Sequence, residues 1–589
     1  MKKLLAMLLA LAMVLGLVAC GGSTSSASEA PASDVSETVE APAQEETPAA
    51  PAEDSAAEAP VEEGSAAEEA PVDDDGLITT DYTYELPLFE EGEYTFSMWV
   101  SFSDNMSSFM PNQYNDNKAF QKACEMTGCD VELVNVSTEA NSEQFSLRVA
   151  SNDLPNVVTN VAMLWTSSWD SAIDDEVFID LEEMLQYMPA YSECYEQLDE
   201  TTKKDLHTDS GYMPKLISID NWPDGATEGA FIRTDYLEKV GMEMPQTYDE
   251  LDAVLRAFQS ELGLAEPWMA TAGIVHTSNA LCSGYGVNGG FSVFPMVSEP
   301  YYVVDGEVKF GIVEEGFKEY MEMFATYYKD GIISPDFISK NTNPMEFAGT
   351  IASGDVGVFF GETNMVPDYY GQGKSIDENF EIAPLAPITK TAGEATHFAS
   401  AQSPISGRLA GIAVSTTDTD LEKLGKYLDF FFTYEGSLLA AMGIEGNEDG
   451  SYIFDEEGKL QYSDNWNNLE GITENNKPTL YVYSVVPMLC PETPSTYTMD
   501  VQFECADVWG TNADSAYTMP SITMTAEESE DYNAIYSDIQ TYISENLSKF
   551  AVGDQSMDEW DSFVEDIWGM NLQGCIDLKQ DAVDRYYAR

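Results

Sequence analysis

Phe231-Ile-Arg-Thr-Asp-Tyr-Leu-Glu-Lys-Val-Gly241, followed by Met244-Pro245 and Thr247-Tyr-Asp-Glu-Leu251, decides the fold class. The first run reads as a strand passing into a helix, with Arg233 and Asp235 built into the transition as a structural ion pair. Thr247 and Glu250 then have capping-box spacing, in which two side chains satisfy orphan amides reciprocally. After Thr247 the apolar positions Leu251, Val254, Leu255, Phe258 and Leu262 line one helical face, which reads as core. To either side, short β-rich runs alternate with amphipathic helices, the pattern of α/β lobes. Tyr94 to Val100, Val131 to Val136 and Asn156 to Val161 read as strands, and Asn117 to Thr127 as a helix ending near Gly128. Thr419 with Glu422, Thr525 with Glu528 and Ser556 with Glu559 announce later helices by the same capping-box spacing.

The N-terminal residues speak of compartment. Lys2 and Lys3 precede an apolar run from Leu4 to Val18, placed and sized as a secretory signal. Leu17-Val18-Ala19-Cys20-Gly21 resembles the lipobox of bacterial lipoproteins, which implies a diacylglycerol on Cys20; two acyl chains suffice for stable anchoring. From 21 to about 80 the chain is Ala, Pro, Ser, Glu and Asp, which cannot bury enough surface to offset chain entropy. This reads as a disordered acidic tether with a span of roughly 40 Å. The remainder is too long for one core, so two or more domains are expected. A net charge of -78 repels nucleic acid and anionic lipid, leaving the lipid anchor as the expected contact with membrane. With Cys20 set aside, Cys124, Cys129, Cys194, Cys282, Cys490, Cys505 and Cys575 are odd in number, which excludes a complete disulfide framework, leaves one or two bridges open in an exported protein and favours buried free thiols.

Further blocks follow the opening stretch in order: Trp222-Pro223 before it, then Tyr328-Lys-Asp-Gly-Ile-Ile-Ser-Pro-Asp-Phe337, Ile351-Ala-Ser-Gly-Asp-Val-Gly357, Thr433-Tyr-Glu-Gly436 with Gly443-Ile-Glu-Gly446, and Asp581-Ala-Val-Asp-Arg-Tyr586. Together they resemble the long family 1 extracellular solute-binding lipoproteins of bacterial ABC importers, over nearly everything from residue 90 onward. The resemblance implies an α/β, two-lobed type II periplasmic-binding-protein-like fold with several inter-lobe crossings, near 217 to 225, 388 to 396 and 445. It divides the chain into a lipoprotein signal peptide (1–19), a lipidated tether (20–80), lobe 1 (81–220), lobe 2 (221–392), a return to lobe 1 (393–445) and a C-terminal part of lobe 2 (446–589). It implies capture of a small polar ligand, an oligosaccharide or sugar, and delivery to ABC permease subunits. The protein is expected as a monomer, without cofactor, on the extracytoplasmic face of the cell membrane.

Recognition of a sugar needs aromatic platforms for its C–H faces and a few placed polar groups. The expected ligand-binding residues are Trp99, Trp165, Trp169, Trp222, Tyr285 and Trp509, with Asp104, Asn105 and Glu362 as hydroxyl partners. Strand ends and crossings, where open α/β sheets place ligands, make Trp165, Trp222 and Trp509 the leading three. Gly284-Tyr-Gly-Val-Asn-Gly289 has the G-x-G-x-x-G pattern but follows no strand, which argues against a dinucleotide. The run from Glu445 to Glu456 approaches a calcium loop, making Asn447, Asp449 and Glu456 weak candidates, but Ile453 falls where a ligand or water belongs and the flanks read as a hairpin. No H-E-x-x-H or G-x-S-x-G is present, so no catalytic residue is assigned and the protein is read as a binder. The competing readings are a cell-surface glycoside hydrolase, for which two carboxylates would suffice, and a glycan-binding surface receptor not coupled to transport.

Overall fold

The structure, a computed structural model, describes residues 77–589 apart from 103–109, 220, 222–227, 272–278, 289–299, 341–346, 399–410, 418, 447–449, 465–481, 483–484, 491–498 and 511–515. The signal and tether segments lie outside the described residues.

Alternation along two central strands sorts side chains between two cores in each lobe. In β1 (Tyr94–Phe102) the residues Tyr94, Phe96, Met98, Val100 and Phe102 enter one cluster while Trp99 enters the opposite one. In β4 (Glu228–Arg233) Ala230 and Ile232 face one cluster and Phe231 the other. This period of two is what a sheet covered on both faces requires. The first sheet has the order β10-β3-β1-β2, with β2 (Cys129–Ser137) and β3 (Val157–Thr159) parallel to β1 and β10 (Ile412–Val414) antiparallel to β3. The second has the order β5-β8-β4-β9, where β5 (Glu266–Met269) and β8 (Val356–Glu362) are parallel and β4 runs antiparallel to both β8 and β9 (Ile382–Pro384). Among the described residues two hairpins complete the strands: β6 (Tyr301–Val304) with β7 (Glu307–Phe310), and β11 (Tyr452–Phe454) with β12 (Leu460–Tyr462).

The helix Lys118–Thr127 starts where Asn117 accepts the amide of Phe120 at 2.9 Å and stops at Gly128, whose φ of 71° is open to glycine. Thr247 and Thr525 make the expected capping boxes at helices Tyr248–Ala257 and Ala526–Val552. The other two differ. Asp420, not Thr419, caps Leu421–Phe430, because the carboxylate reaches Lys423 N while the threonine hydroxyl turns back to Thr417 O. Ser556 caps only a short 3-10 turn, through Asp558 N, and the helix Trp560–Gly569 follows it.

The first passage between lobes runs from Ile219 to β4, and the second falls after Ile388 in the second-lobe core and before β10 in the first. The expected third passage near 445 is corrected. Tyr452 packs on Leu438 and Met442, Val482, Val485, Val486, Met488, Leu489 and Cys490 join the first-lobe core, and Leu489 bridges Ile219, so the described residues of this stretch pack with the first lobe. The hairpin β11–β12 turns the chain back onto its own preceding helix, and the next described helix, Asp500–Gly510, packs on β9 and β4 of the second lobe. The C-terminal helices Ala526–Val552, Trp560–Gly569 and Leu572–Ala588 then fill the second-lobe core with Tyr532, Tyr536, Ile539, Ile543, Phe550, Trp560 and Phe563.

One buried carboxylate is structural. Asp429, fully buried, accepts the amides of Ala190 and Tyr191 at 3.0 and 2.7 Å, the first turn of helix Pro189–Glu196, and the hydroxyl of Tyr84 at 2.7 Å. It supplies from a distance the cap which that helix lacks. Burial pushes its pKa up to about 6 against the pull of those hydrogen bonds. All seven described cysteines are free, six of them buried. Among the described residues no helix is long and apolar enough to cross a membrane.

Candidate functional site

Where β3 ends, Asn160 takes a left-handed conformation (φ 52°, ψ 34°) and redirects the chain into a short turn toward Trp165. This is why the strand is shorter than its apolar run. The Trp165 indole donates to Ser168 O at 3.0 Å, which folds the loop back on itself and sets Trp169 at the start of helix Trp169–Asp174. The rings of Trp165 and Trp169 lie 6.4 Å apart, Trp165 meets Phe178 edge-on, and Lys215 stands 4.7 Å from the centre of the Trp169 ring. Trp165 and Trp169 are both half-buried.

The second lobe meets this loop with residues Ile522, Thr523 and Met524 and with the first turns of helix Ala526–Val552, where Ser529, Tyr532 and Asn533 fall on one face at i, i+3 and i+4. Lys579, from helix Leu572–Ala588, stands 4.6 Å over Tyr532. The Ser168 hydroxyl donates to Met524 O at 2.8 Å across the divide. Between the lobes lies a groove of about 240 Å³ lined by Thr166, Ser167, Ser168 and Trp169 on one side and by the second-lobe residues just named on the other. This is somewhat below the roughly 300–1,000 Å³ of typical ligand sites. Its two aromatic rings and six hydroxyl or amide side chains suit a polar, ring-shaped ligand rather than an apolar one.

A clasp of charges closes one flank. Arg585 donates to both carboxylate oxygens of Glu528 at 2.6 Å, to Thr523 O at 3.2 Å and, across the lobes, to Asp209 Oδ2 at 2.9 Å. Arg589 reaches the carbonyl of His207 at 2.8 Å, Tyr586 donates to Asp205 at 2.7 Å, and the Asp209 amide donates to Thr523 Oγ1 at 2.9 Å. Burial raises the Glu528 carboxyl, but Arg585 and the Thr525 cap outweigh it and hold the group below its usual value. Burial pushes Asp205 upward.

Comparison with known proteins supplies the lineage. The family described as bacterial extracellular solute-binding protein matches residues 99–437, more than half of the chain. The chain belongs to that family. It is 22% identical over 526 residues (83% of this chain, 90% of the other) to the fructooligosaccharide ABC transporter substrate-binding protein FusA of Streptococcus pneumoniae serotype 4. It is 22% identical over 397 residues (63% of this chain, 74% of the other) to lipoprotein LipO of Bacillus subtilis. Its fold is similar to the crystal structure of alginate-binding protein AlgQ2 without calcium ion, with TM-score 0.65 and 20% identity over 84% of this chain and 100% of that one. The two-lobed α/β class expected from the sequence is the one found.

The solute-binding protein brings together only some of the expected ligand residues. Trp169 lines the groove and Trp165 supports it. Trp99 is corrected to a core residue: it has no exposed surface, its indole donates to Asn141 Oδ1 at 2.9 Å, and it points into the cluster beneath the sheet. Trp509 is corrected likewise. The Val508-Trp-Gly510 run is the end of a helix rather than a strand end or crossing, and the indole lies on Gly229, donates to Ala230 O at 3.2 Å and meets Phe231 edge-on at 5.2 Å. Tyr285 stacks on Tyr248 at 4.2 Å and packs against the second-lobe core, away from the groove. Gly284 explains the glycine pattern there, since a Cβ would fall 1.9 Å from the Ile388 carbonyl oxygen. Glu362 sits half-buried at the end of β8 with no groove contact. Glu456 is exposed on the β11–β12 turn, between strands rather than helices. Asp104, Asn105, Trp222, Asn447, Asp449 and Cys20 lie outside the described residues. Tyr532, Asn533 and Lys579 were not singled out by sequence; their only signal is the shared helical face of Ser529, Tyr532 and Asn533.

Proposed function

We propose that this solute-binding protein captures a carbohydrate, a sugar or oligosaccharide, between its lobes and delivers it to ABC permease subunits, as a monomer anchored outside the cell membrane through a lipid on Cys20. The observation that carries the reading is the inter-lobe groove in which Trp169 and Tyr532, one from each lobe, stand among hydroxyl and amide side chains. Aromatic faces stack on sugar C–H surfaces while a few fixed polar groups orient the hydroxyls. The similarity to FusA, a fructooligosaccharide binder, and to AlgQ2, an alginate binder, supports the ligand class, and that to lipoprotein LipO supports the anchor.

A glycan panel read by tryptophan fluorescence and small-angle scattering tests it. A bound glycan is expected to change the fluorescence and lower the radius of gyration as the lobes close. Trp169→Ala is expected to weaken binding about thirtyfold, the size of a 2 kcal/mol hot spot. Absence of binding to any glycan, or release of reducing sugar from a bound one, overturns the proposal. Cys20→Ala is expected to abolish detergent-phase partitioning, and an unchanged partition refutes the anchor.

A further inference from the structure

The groove reverses the charge of the molecule that surrounds it. The chain holds 104 Asp and Glu against 26 Lys and Arg. At that proportion about two of the eleven residues lining the groove would be acidic. Among the described lining residues none is, and one is Lys579. Each aromatic wall also carries an ammonium on its ring: Lys215 at 4.7 Å from the centre of Trp169, and Lys579 at 4.6 Å from that of Tyr532.

Among the described residues, the carboxylates nearest the groove are held by other side chains, buried in the lobe or turned outward. Glu528 and Asp209 are held by Arg585, and Asp170 is buried in the first lobe where it accepts the Ser210 hydroxyl at 2.8 Å. Glu530 and Asp531 are exposed, off the helix face that Ser529, Tyr532 and Asn533 share. Lys215 has no carboxylate within ion-pair distance among the described residues, and burial pulls its pKa down. A partly buried ammonium of this kind is costly unless an anion meets it.

We propose that the groove selects a carbohydrate bearing a carboxylate, with Lys579 and the Lys215–Trp169 pair supplying the positive field and the surrounding hydroxyls binding the ring. This rests on the carbohydrate reading above and narrows it. A charge-assisted hydrogen bond to an ammonium is roughly twice as strong as a neutral one, and in a chain this acidic the local sign reversal is what admits an anion.

Titration calorimetry on the full chain decides it, with tri-galacturonate and sialyllactose as two carboxylate sources and fully methyl-esterified tri-galacturonate and kestose as neutral probes. One of the two acids is expected to bind at least tenfold more tightly than either neutral probe, and its affinity to fall as salt rises. Lys579→Met is expected to cost that acid at least tenfold, and to cost any neutral probe that binds several-fold less than that. The salt dependence of the unsubstituted protein gives a second reading that needs no variant. A neutral probe bound more tightly than both acids, with loss of that binding in Trp169→Ala, overturns the acidic specificity and leaves the carbohydrate reading standing. No binding of any of the four overturns the acidic specificity, and the wider glycan panel then decides the carbohydrate reading. Equal affinity for the acid in Lys579→Met and the unsubstituted protein also overturns the proposal.

Discussion

Replacing Arg585 by Ala tests whether charge, and not only the covalent passages, holds the lobes in register. The guanidinium makes three hydrogen bonds to carboxylate oxygens and one to a carbonyl, and the side chains of Asp209 and Glu528 are only 9% and 17% exposed. A hydrogen bond to a charged group contributes about 1.5–3 kcal/mol net, and a fully buried pair that loses one partner costs about 3–5 kcal/mol. Arg585 itself is 34% exposed, so water screens part of this, and about 2–4 kcal/mol is the expected loss. The share belonging to Asp209 is isolated by a double-mutant cycle with Asp209→Ala in urea unfolding, where a coupling of about 1–2 kcal/mol is expected.

The pH dependence has a definite sign. Glu528 is held below its unfolded value, so its contribution is present above the ordinary carboxyl pKa and is lost as pH falls through the folded one. Because Asp209 stands in the first lobe and Arg585 and Glu528 in the second, small-angle scattering of Arg585→Ala should also show a larger radius of gyration. Effects of the two substitutions that add within about 0.5 kcal/mol, together with an unchanged radius of gyration, would refute the clasp.

Trp509→Ala should cost about 3–5 kcal/mol of stability and lower the melting temperature with no change in glycan affinity, since the indole fills the space over Gly229 rather than the groove. Weakened binding without a lower melting temperature would return Trp509 to the site. Asp429→Asn should become relatively more stable as pH rises from 4 to 7. The native carboxyl, raised to about 6, favours the folded state only while protonated, and its shift of about two units corresponds to about 3 kcal/mol. Urea midpoints of the two proteins that differ by a constant amount across this range would contradict it. Thr525→Ala should remove about 0.5–2 kcal/mol through loss of its capping box, and unfolding curves that coincide with the parent's would show the cap to be dispensable.

The sequence by itself determined what local chemistry determines. The β1 run, the helix that Asn117 opens and Gly128 closes, and the capping boxes of Thr247 and Thr525 all follow from spacing within a few residues. The loop carrying Trp165 and Trp169 was legible because it follows a strand end. Where two local partners compete, as Thr419 and Asp420 do, spacing does not choose between them, and reach in the folded chain does. Burial of Trp99 and Trp509 depends on which neighbours arrive over them, and an indole carries the same apolar face to a core or to a ligand. The packing of Val482 and Leu489 in the first-lobe core, and the meeting of Trp169 with Tyr532 and Lys579 across the divide, are contacts between segments far apart in the chain. No periodicity records such contacts, because packing selects them only after each element has formed, and so the groove was decided by the tertiary structure alone.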